Sequence, residues 1–196
     1  MTKKTLVIAS NNEHKVVEIK DHLGPSFEIL KQADFNIDPI PETGKSFKEN
    51  AIIKAREVYE ATGLTTIGDD SGLVVEALGG EPGIFSARYS GVDATDEENN
   101  MKLLKKLEEA NSENRKARFE CVIALIDCKK PKKVYTFTGT WRGEILEKKK
   151  GSRGFGYDPL FFDPQIGKSS AELSIKQKNQ ISHRARALAS LKRHIL

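Results

Sequence analysis

Cysteine and long apolar runs are both scarce in this chain. Its 196 residues include only Cys121 and Cys128, and neither belongs to a CxxC pair or a Cys/His cluster with zinc spacing. This excludes a disulfide-stapled secreted domain and predicts two reduced thiols. The apolar run near the N-terminus, residues 6–9, is too short for a signal-peptide core or a membrane span. The sequence therefore predicts a cytoplasmic protein with no membrane segment.

A strong excess of one charge is also missing. Lys and Arg number 32 against 28 for Asp and Glu, which gives a net charge of +4. This balance suits an anionic small ligand as well as a nucleic acid. Hydrophobic residues make up 38% of the chain, enough for a real core. Without repeats, low-complexity tracts or linkers, residues 1–196 are predicted to form one domain.

Strand and helix patterns interleave along the chain. Strands are predicted at residues 5–9, 27–30, 65–67, 73–76, 119–126 and 134–141. Helical patterns cover residues 16–23, the stretch from Phe47 to Gly63, the stretch from Thr95 through Leu107, and most of the chain after Phe162. Two helix starts have capping-box spacing, Ser46 with Glu49 and Thr95 with Glu98. Because the last two strands are joined like a hairpin, the pattern favours an α/β fold with a mixed sheet.

Two adjacent carboxylates, Asp69 and Asp70, separate two predicted strands and precede a Ser-Gly turn. Neighbours on an extended chain point to opposite faces, so one acid can enter a site while the other supports the turn. Folding could bring Glu42 to them, and the three carboxylates could then hold Mg²⁺, which prefers oxygen ligands. A plain solvated turn is the alternative, since Asp, Ser and Gly are ordinary turn residues.

Three other segments carry candidate chemistry. SNNEHK at residues 10–15 predicts a strand-to-helix turn, where backbone N–H groups and Lys15 could hold an anion, although no P-loop is present. In GSRGFGYDP, residues 151–159, Phe155 lies between glycines and could stack on a base while Asp158 accepts a base N–H; an aromatic plug is the alternative. His183 and Arg184 oppose the dipole of the last helix, either functionally or as an exposed basic end.

Five motifs, taken together and in order, resemble the inosine triphosphate pyrophosphatase family. They are SNNxxK at 10–15, ETGxSFxENAxxKA at 42–55, DDSGLxVxALGGxPGxxSARYSG at 69–91, GFGYDPLF at 154–161 and SHRARAL at 182–188. The resemblance implies Mg²⁺-dependent hydrolysis of ITP, dITP and XTP to the monophosphate and pyrophosphate, which keeps these nucleotides out of DNA and RNA. It also implies a homodimer, and a long, mixed, twisted sheet with flanking helices in two lobes around a central active-site cleft.

The same resemblance implies residue roles. Asp70 matches the general base and a metal ligand, and Glu42 and Asp69 match supporting metal carboxylates. Lys15 is implied in catalysis, where it offsets charge on the leaving pyrophosphate. The implied substrate contacts are Ser10, Asn11, Asn12, Glu13, His14, Lys15, Ser71, Phe155, Gly156, Tyr157, Asp158, Lys178, His183 and Arg184.

Two rival interpretations stay open at this point. A related pyrophosphatase for other modified nucleotides would share the carboxylates but differ in the base-reading residues. A nucleic-acid-binding protein would use the basic residues 148–150 and Arg153. Against the second rival, acidic and basic residues are mixed and no nucleic-acid-binding motif is present.

Overall fold

The computed structural model of the chain describes residues 4–195 and shows an α/β fold. The strands are β1 (Lys4–Ala9), β2 (Phe27–Lys31), β3 (Thr66–Val75), β4 (Lys116–Ile126), β5 (Val134–Ile145), β6 (Phe161–Asp163) and β7 (Lys168–Ser169). The helices are α1 (Glu13–Leu23), α2 (Phe47–Thr62), α3 (Asp96–Glu109), α4 (Ile175–Ile181) and α5 (His183–Ile195). No helix within residues 4–195 is long and apolar enough to cross a membrane.

The seven strands form one open, mixed sheet in the order β2-β1-β3-β4-β5-β6-β7. β1 runs parallel to both β2 and β3, whereas β6 runs antiparallel to β5 and β7. The predicted α/β class with a mixed sheet and flanking helices is therefore confirmed. The short strands β6 and β7 lie where the sequence pattern predicted only a loop and helices.

The chain divides into two compact units. The first comprises the chain through Asp70, residues 121–139, and the chain from residue 183 onward. Its main core joins aliphatic residues of three strands to those of α1 and α5, among them Leu6, Ile19, Ile67, Ile123 and Leu188. In a second cluster, Ala51 and Ala55 of α2 pack on the opposite face of β4, against Val122, Ala124 and Ile126. Helices thus cover both faces, as buried parallel strands require.

The second unit comprises residues 71–120 and 140–182. Its core is more aromatic and includes Leu73, Leu103, Phe119, Trp141, Tyr157 and Phe161. The rings of Phe119 and Phe161 have centroids 4.6 Å apart, and the Trp141 indole N–H donates to Asp163 at 2.7 Å. The one polar group of the Trp141 ring, its indole N–H, therefore has an acceptor within the same unit. One domain across 1–196, with a cleft between two lobes, stays a prediction.

The two predicted strands around Asp69 and Asp70 are in fact one. β3 runs without a break from Thr66 to Val75, so both acids lie inside a strand and the predicted Ser-Gly turn is absent. Turn propensity is overridden here because β3 is buried along nearly its whole length and pairs with β1. The idea that the acids sit at a strand end was wrong.

Helix ends follow the predicted caps closely. Ser46 accepts the Glu49 N–H and begins α2, and Thr95 forms a full capping box with Glu98 at the start of α3. The Glu49 carboxylate, however, accepts the N–H of Lys45 at 2.8 Å, so the reciprocal half of the first box is missing. α2 ends at Gly63, which adopts the left-handed conformation expected at such a position.

Candidate functional site

Asp69 lies at the centre of a buried charge network in the first unit. Its carboxylate is fully buried and accepts from the Arg184 Nε at 2.9 Å and from the Lys15 Nζ at 2.8 Å. The thiol of Cys121 donates to the same carboxylate at 3.2 Å. On the far side of the guanidinium, Arg184 donates to buried Glu18 at 2.5 Å. The negative charges of Asp69 and Glu18 are therefore compensated by buried Arg184 and by partly exposed Lys15.

The pKa of Asp69 shows which effect prevails in this network. Burial alone raises it, but the charges of Arg184 and Lys15 outweigh burial and hold the pKa well below its usual value. Asp69 is therefore an anion at neutral pH. Burial and the Asp69 charge raise the pKa of Cys121, which stays a protonated thiol.

Asp70 points to a different set of partners, as alternation along a strand requires. Its carboxylate accepts from the Lys54 Nζ at 2.8 Å and from the Asn50 amide at 3.2 Å. Lys54 also donates to Glu42 at 2.8 Å, so one ammonium bridges both acids. Burial first, then the nearby Glu42 charge, raises the pKa of Asp70 against the opposing effect of Lys54. A carboxylate with a raised pKa is a better proton acceptor.

The position of α2 on β3 fixes this second cluster. A Cβ added at Gly68 would lie 2.2 Å from the carbonyl oxygen of Ala51 and 2.7 Å from the nitrogen of Ala55, so helix and strand touch backbone to backbone. Asn50 and Lys54 share one helix face, four residues apart, and both reach Asp70. Asn50 also accepts the Gly44 N–H at 2.8 Å, which ties the loop carrying Glu42 to the same helix.

The predicted strand-to-helix turn at residues 10–15 is present. β1 ends at Ala9, Asn12 caps α1 by accepting the Lys15 N–H at 3.1 Å, and Ser10 accepts the Asn12 N–H. A helix N-terminus after a buried strand is a suitable place for an anion. Asn11 and His14 are exposed beside it, but Glu13 is directed to Lys31, with which it forms a 2.6 Å ion pair.

The predicted base-reading segment forms a second cluster, within the second unit. The Asp158 carboxylate accepts from the Lys178 Nζ at 2.6 Å, the Ser170 hydroxyl at 2.7 Å and the Phe155 N–H at 2.9 Å. Lys178 also lies 4.9 Å from the centroid of the Phe155 ring, a cation–π distance. Phe155 is only partly buried, unlike a core plug, whereas Tyr157 is buried with its hydroxyl on the Ser86 carbonyl.

Gly154 makes this segment possible. Its φ is +80°, and a Cβ there would lie 2.0 Å from the Asp158 Oδ2. Any other residue would displace the carboxylate that holds Phe155 and Lys178. Ser71, predicted beside the acids, begins this second unit and is partly buried.

The last motif is not an exposed basic end. His183 and Arg184 open α5, and both are buried, with Arg184 bonded to Asp69 and Glu18. Arg184 was predicted as a substrate contact; its bonds to two carboxylates favour a structural role instead. Sequence reasoning missed Glu18, Asn50 and Lys54. The signal available for Asn50 and Lys54 was a polar residue on an otherwise apolar helix face, whereas Glu18 lies among polar neighbours on α1 and gave no such signal.

The residues differ in how well they fit a magnesium ion. Glu42 and Asp70 both bond the Lys54 ammonium, so their carboxylates lie close together, and they offer the oxygen ligands that Mg²⁺ prefers. Asp69 is already bonded to two cations and a thiol, which suits a counter-ion better than a ligand. Within residues 4–195, no group of three or more His, Cys, Asp or Glu side chains could hold a metal. Two carboxylates fit, since Mg²⁺ keeps several waters.

Fold and site together define an α/β protein in which two adjacent buried carboxylates pair with lysines, Asp69 with Lys15 of the strand-to-helix turn and Asp70 with Lys54 of α2. The chain belongs to the Ham1 family, whose model matches residues 6–194. It is 50% identical over 192 residues to a dITP/XTP pyrophosphatase of Geobacter sulfurreducens, covering 97% of this chain and 96% of the relative. These matches confirm the family resemblance drawn from the motifs.

Solved structures agree with the family assignment. A HAM1 protein from Coxiella burnetii has a TM-score of 0.90 and 42% identity, with 98% of each chain covered. The Ham1 protein of Staphylococcus aureus has a TM-score of 0.88 and 44% identity, again over 98% of each chain.

Proposed function

We propose that this protein hydrolyses non-standard purine nucleoside triphosphates (ITP, dITP and XTP) to the monophosphate and pyrophosphate, and so removes them from the nucleotide pool. The observation that carries this proposal is the full-length likeness to a relative named dITP/XTP pyrophosphatase. The Asp70–Lys54–Glu42 cluster supplies groups that such a hydrolysis needs. The protein is proposed to act as a homodimer in the cytoplasm.

Asp70 is proposed as the general base. It takes a proton from a water molecule, whose oxygen forms a bond to the α-phosphorus. The bond from that phosphorus to the α-β bridging oxygen breaks, and pyrophosphate leaves with the electron pair. The raised pKa of Asp70 favours proton uptake. Lys15, with 14% of its side chain exposed at the α1 turn, is placed to offset phosphate charge.

Glu42 and Asp70 are proposed to hold Mg²⁺, with Asp69 contributing charge rather than a ligand bond. When bound, the ion would neutralise charge on the phosphate oxygens. The exposed and partly exposed residues of the α1 turn, Ser10, Asn11, Asn12 and His14, are proposed to contact the triphosphate. His183 and Ser71 remain proposed substrate contacts.

The Phe155–Lys178 cluster is proposed to read the base. A purine ring can stack on the partly buried ring of Phe155, and a cationic donor such as Lys178 can bond the 6-carbonyl that inosine and xanthosine share. Adenine carries an amine there, which would leave the donor unpaired. A site built around one hydrogen bond can reject the wrong partner by about 10⁴-fold.

The proposal is tested by pyrophosphate release from ITP, XTP, dITP, GTP, ATP and CTP, with Mg²⁺ and with EDTA. We expect fast release from ITP, XTP and dITP that EDTA abolishes, and little from ATP and CTP. Preferential release from CTP or another pyrimidine substrate would instead support the related pyrophosphatase. No release from any nucleotide, with salt-sensitive DNA binding, would favour the nucleic-acid alternative.

Gly68→Ala tests whether the contact between α2 and β3 sets the geometry of Asp70. The new methyl group would meet backbone atoms of Ala51 that cannot rotate away, so α2 must move. We expect stability to fall by about 1–3 kcal/mol, as for other overpacked sites, and kcat for ITP to fall about 10²-fold as Lys54 and Asn50 shift.

Urea unfolding and steady-state kinetics measure the two effects of Gly68→Ala. The matched control is Gly63→Ala, which alters a glycine that has open space around it at the end of the same helix. This control should lose some stability because φ is +66° there, but keep its kcat. Equal kcat losses in both variants would contradict the assigned role of the close contact.

A further inference from the structure

The peptide groups around Gly156 are held by α3 on both sides. The Gly156 N–H donates to the Asp96 Oδ2 at 2.6 Å, and the Gly156 carbonyl accepts from the Asn100 Nδ2 at 2.8 Å. Gly156 lies between Phe155 and Tyr157, within the segment proposed to read the base. No motif of the sequence analysis covers Asp96 or Asn100.

The amide of Asn100 has only one workable orientation. Its Nδ2 donates to the Gly156 carbonyl and also to the Asp96 backbone carbonyl at 2.6 Å. Turning the amide over would place its oxygen against two carbonyl oxygens, so the two contacts assign the NH₂ group to this side.

This orientation carries a cost. Asn100 is 2% exposed, and no group within residues 4–195 donates a hydrogen bond to its buried Oδ1. A buried acceptor without a partner is destabilising, and an apolar residue of similar size would avoid it. Of the two bonds that a leucine could not supply, the bond to Asp96 stays within α3, and the bond to Gly156 is the one that joins α3 to the loop. Local rules broken in this way are expected at functional positions.

Asp96 is not needed to cap its own helix. Thr95 and Glu98 already form the capping box of α3, which leaves the Asp96 carboxylate available for the Gly156 N–H. Within the loop, Asp158 holds the N–H of Phe155. Gly154 and Gly156, with φ of +80° and +60°, give this stretch many alternative backbone conformations. The two hydrogen bonds between α3 and Gly156 reduce the number of conformations that the stretch can adopt.

We infer that Asp96 and Asn100 are positioning residues for base selectivity: they clamp Gly156 and thereby fix the orientation of the neighbouring Phe155 ring, on which the base is proposed to stack. This inference rests on the proposed function. The clamp acts on substrate fit and not on hydrolysis, so its loss is expected in KM and in the ITP-to-GTP preference rather than in kcat.

The principal test uses Asn100→Leu, which removes both donors and keeps a similar volume. We expect KM for ITP to rise about ten-fold, kcat to stay within about two-fold, and the ratio of kcat/KM for ITP over GTP to fall about ten-fold. Asp96→Ala, at an exposed position, should change KM and the ratio in the same direction and serves if Asn100→Leu does not fold.

Asn99→Leu is the matched control. Asn99 is the neighbouring buried asparagine of α3, and its amide bonds the Ser90 N–H and the Ala87 carbonyl instead. This variant should lose stability but keep KM and the ITP-to-GTP ratio. The inference is overturned by folded clamp variants with unchanged KM and ratio, or by an equal loss of selectivity in Asn99→Leu.

Hydrogen exchange separates a failed clamp from a failed function. In Asp96→Ala, the Gly156 amide loses its acceptor and should exchange faster, whatever the protein hydrolyses. Faster exchange with unchanged selectivity would overturn the inference and leave the function standing. If the wild-type protein released no pyrophosphate from ITP, the proposed function would fail, and with it the role in selectivity. If the Gly156 amide of Asp96→Ala also exchanged at the wild-type rate, the clamp itself would be rejected.

Discussion

Asp70→Asn is expected to lower kcat for ITP by about 10²–10⁴-fold, the usual contribution of a general base. Asparagine has nearly the same shape but cannot take up the proton of the attacking water. Lys54 keeps its 2.8 Å bond to Glu42, so the ammonium is not left without a carboxylate. The fold should therefore persist. Steady-state kinetics at saturating ITP and Mg²⁺, together with thermal unfolding, measure both outcomes.

Asp163→Asn provides the control for this substitution. Asp163 is also a buried acid, but it binds the Trp141 indole in the aromatic core and has no proposed part in hydrolysis. We expect it to lower the unfolding temperature and to leave kcat unchanged. A near-normal kcat in Asp70→Asn would remove Asp70 from the base role.

Arg184→Met is expected to cost about 3–5 kcal/mol of unfolding free energy, the usual penalty for removing one partner of a buried ion pair. The change removes the guanidinium from between Asp69 and Glu18, which are 0% and 5% exposed, while Lys15 keeps its ion pair with Asp69. Since whole proteins are stable by about 5–15 kcal/mol, this is a large share. Urea unfolding measures it. Arg186→Met, two residues along the same helix but exposed, should stay within about 0.5 kcal/mol.

The loss of unfolding free energy in Arg184→Met, relative to the wild-type protein, should become smaller as the pH falls. In the wild-type protein the pKa of Asp69 is held well below its usual value, so its stabilising contribution is present at neutral pH and is lost only as pH falls through that low value. In the variant, burial raises the pKa of Asp69, and a proton relieves the penalty as pH falls. The difference in unfolding free energy should therefore shrink between pH 7 and pH 4.5. A constant difference would mean that Asp69 does not carry the effect.

Local sequence signals were sufficient for much of this fold. The caps at Ser46 and Thr95, the turn at residues 10–15 and the end of α2 at Gly63 all lie where short-range physics places them. Each depends on residues within one or two helical turns of one another. The candidate residues were likewise found in two clusters, one in each unit.

The environment of the two acids could not be predicted in the same way. Arg184 reaches Asp69 from 115 positions away, and Lys54 reaches Asp70 from a helix whose register on β3 depends on Gly68. If these cations are left out of account, two adjacent aspartates before Ser-Gly indicate a turn. When the cations pair with the two carboxylates, both acids can be buried and the strand can continue through them. Propensity describes the chain alone, whereas this outcome depends on charges that only tertiary folding brings together.

The backbone contact at Gly68 also has an evolutionary consequence. Most helix–sheet distances are set by side chains, so they can drift by a methyl group at a time as cores are repacked. At Gly68 no side chain separates β3 from the backbone of α2, so there is nothing at this contact to exchange for something slightly larger or smaller. Repacking of side chains at this contact therefore cannot adjust the spacing between Lys54 and Asp70. New substrate preferences would have to arise through loops and helix ends elsewhere, while the geometry of these two side chains stays constant.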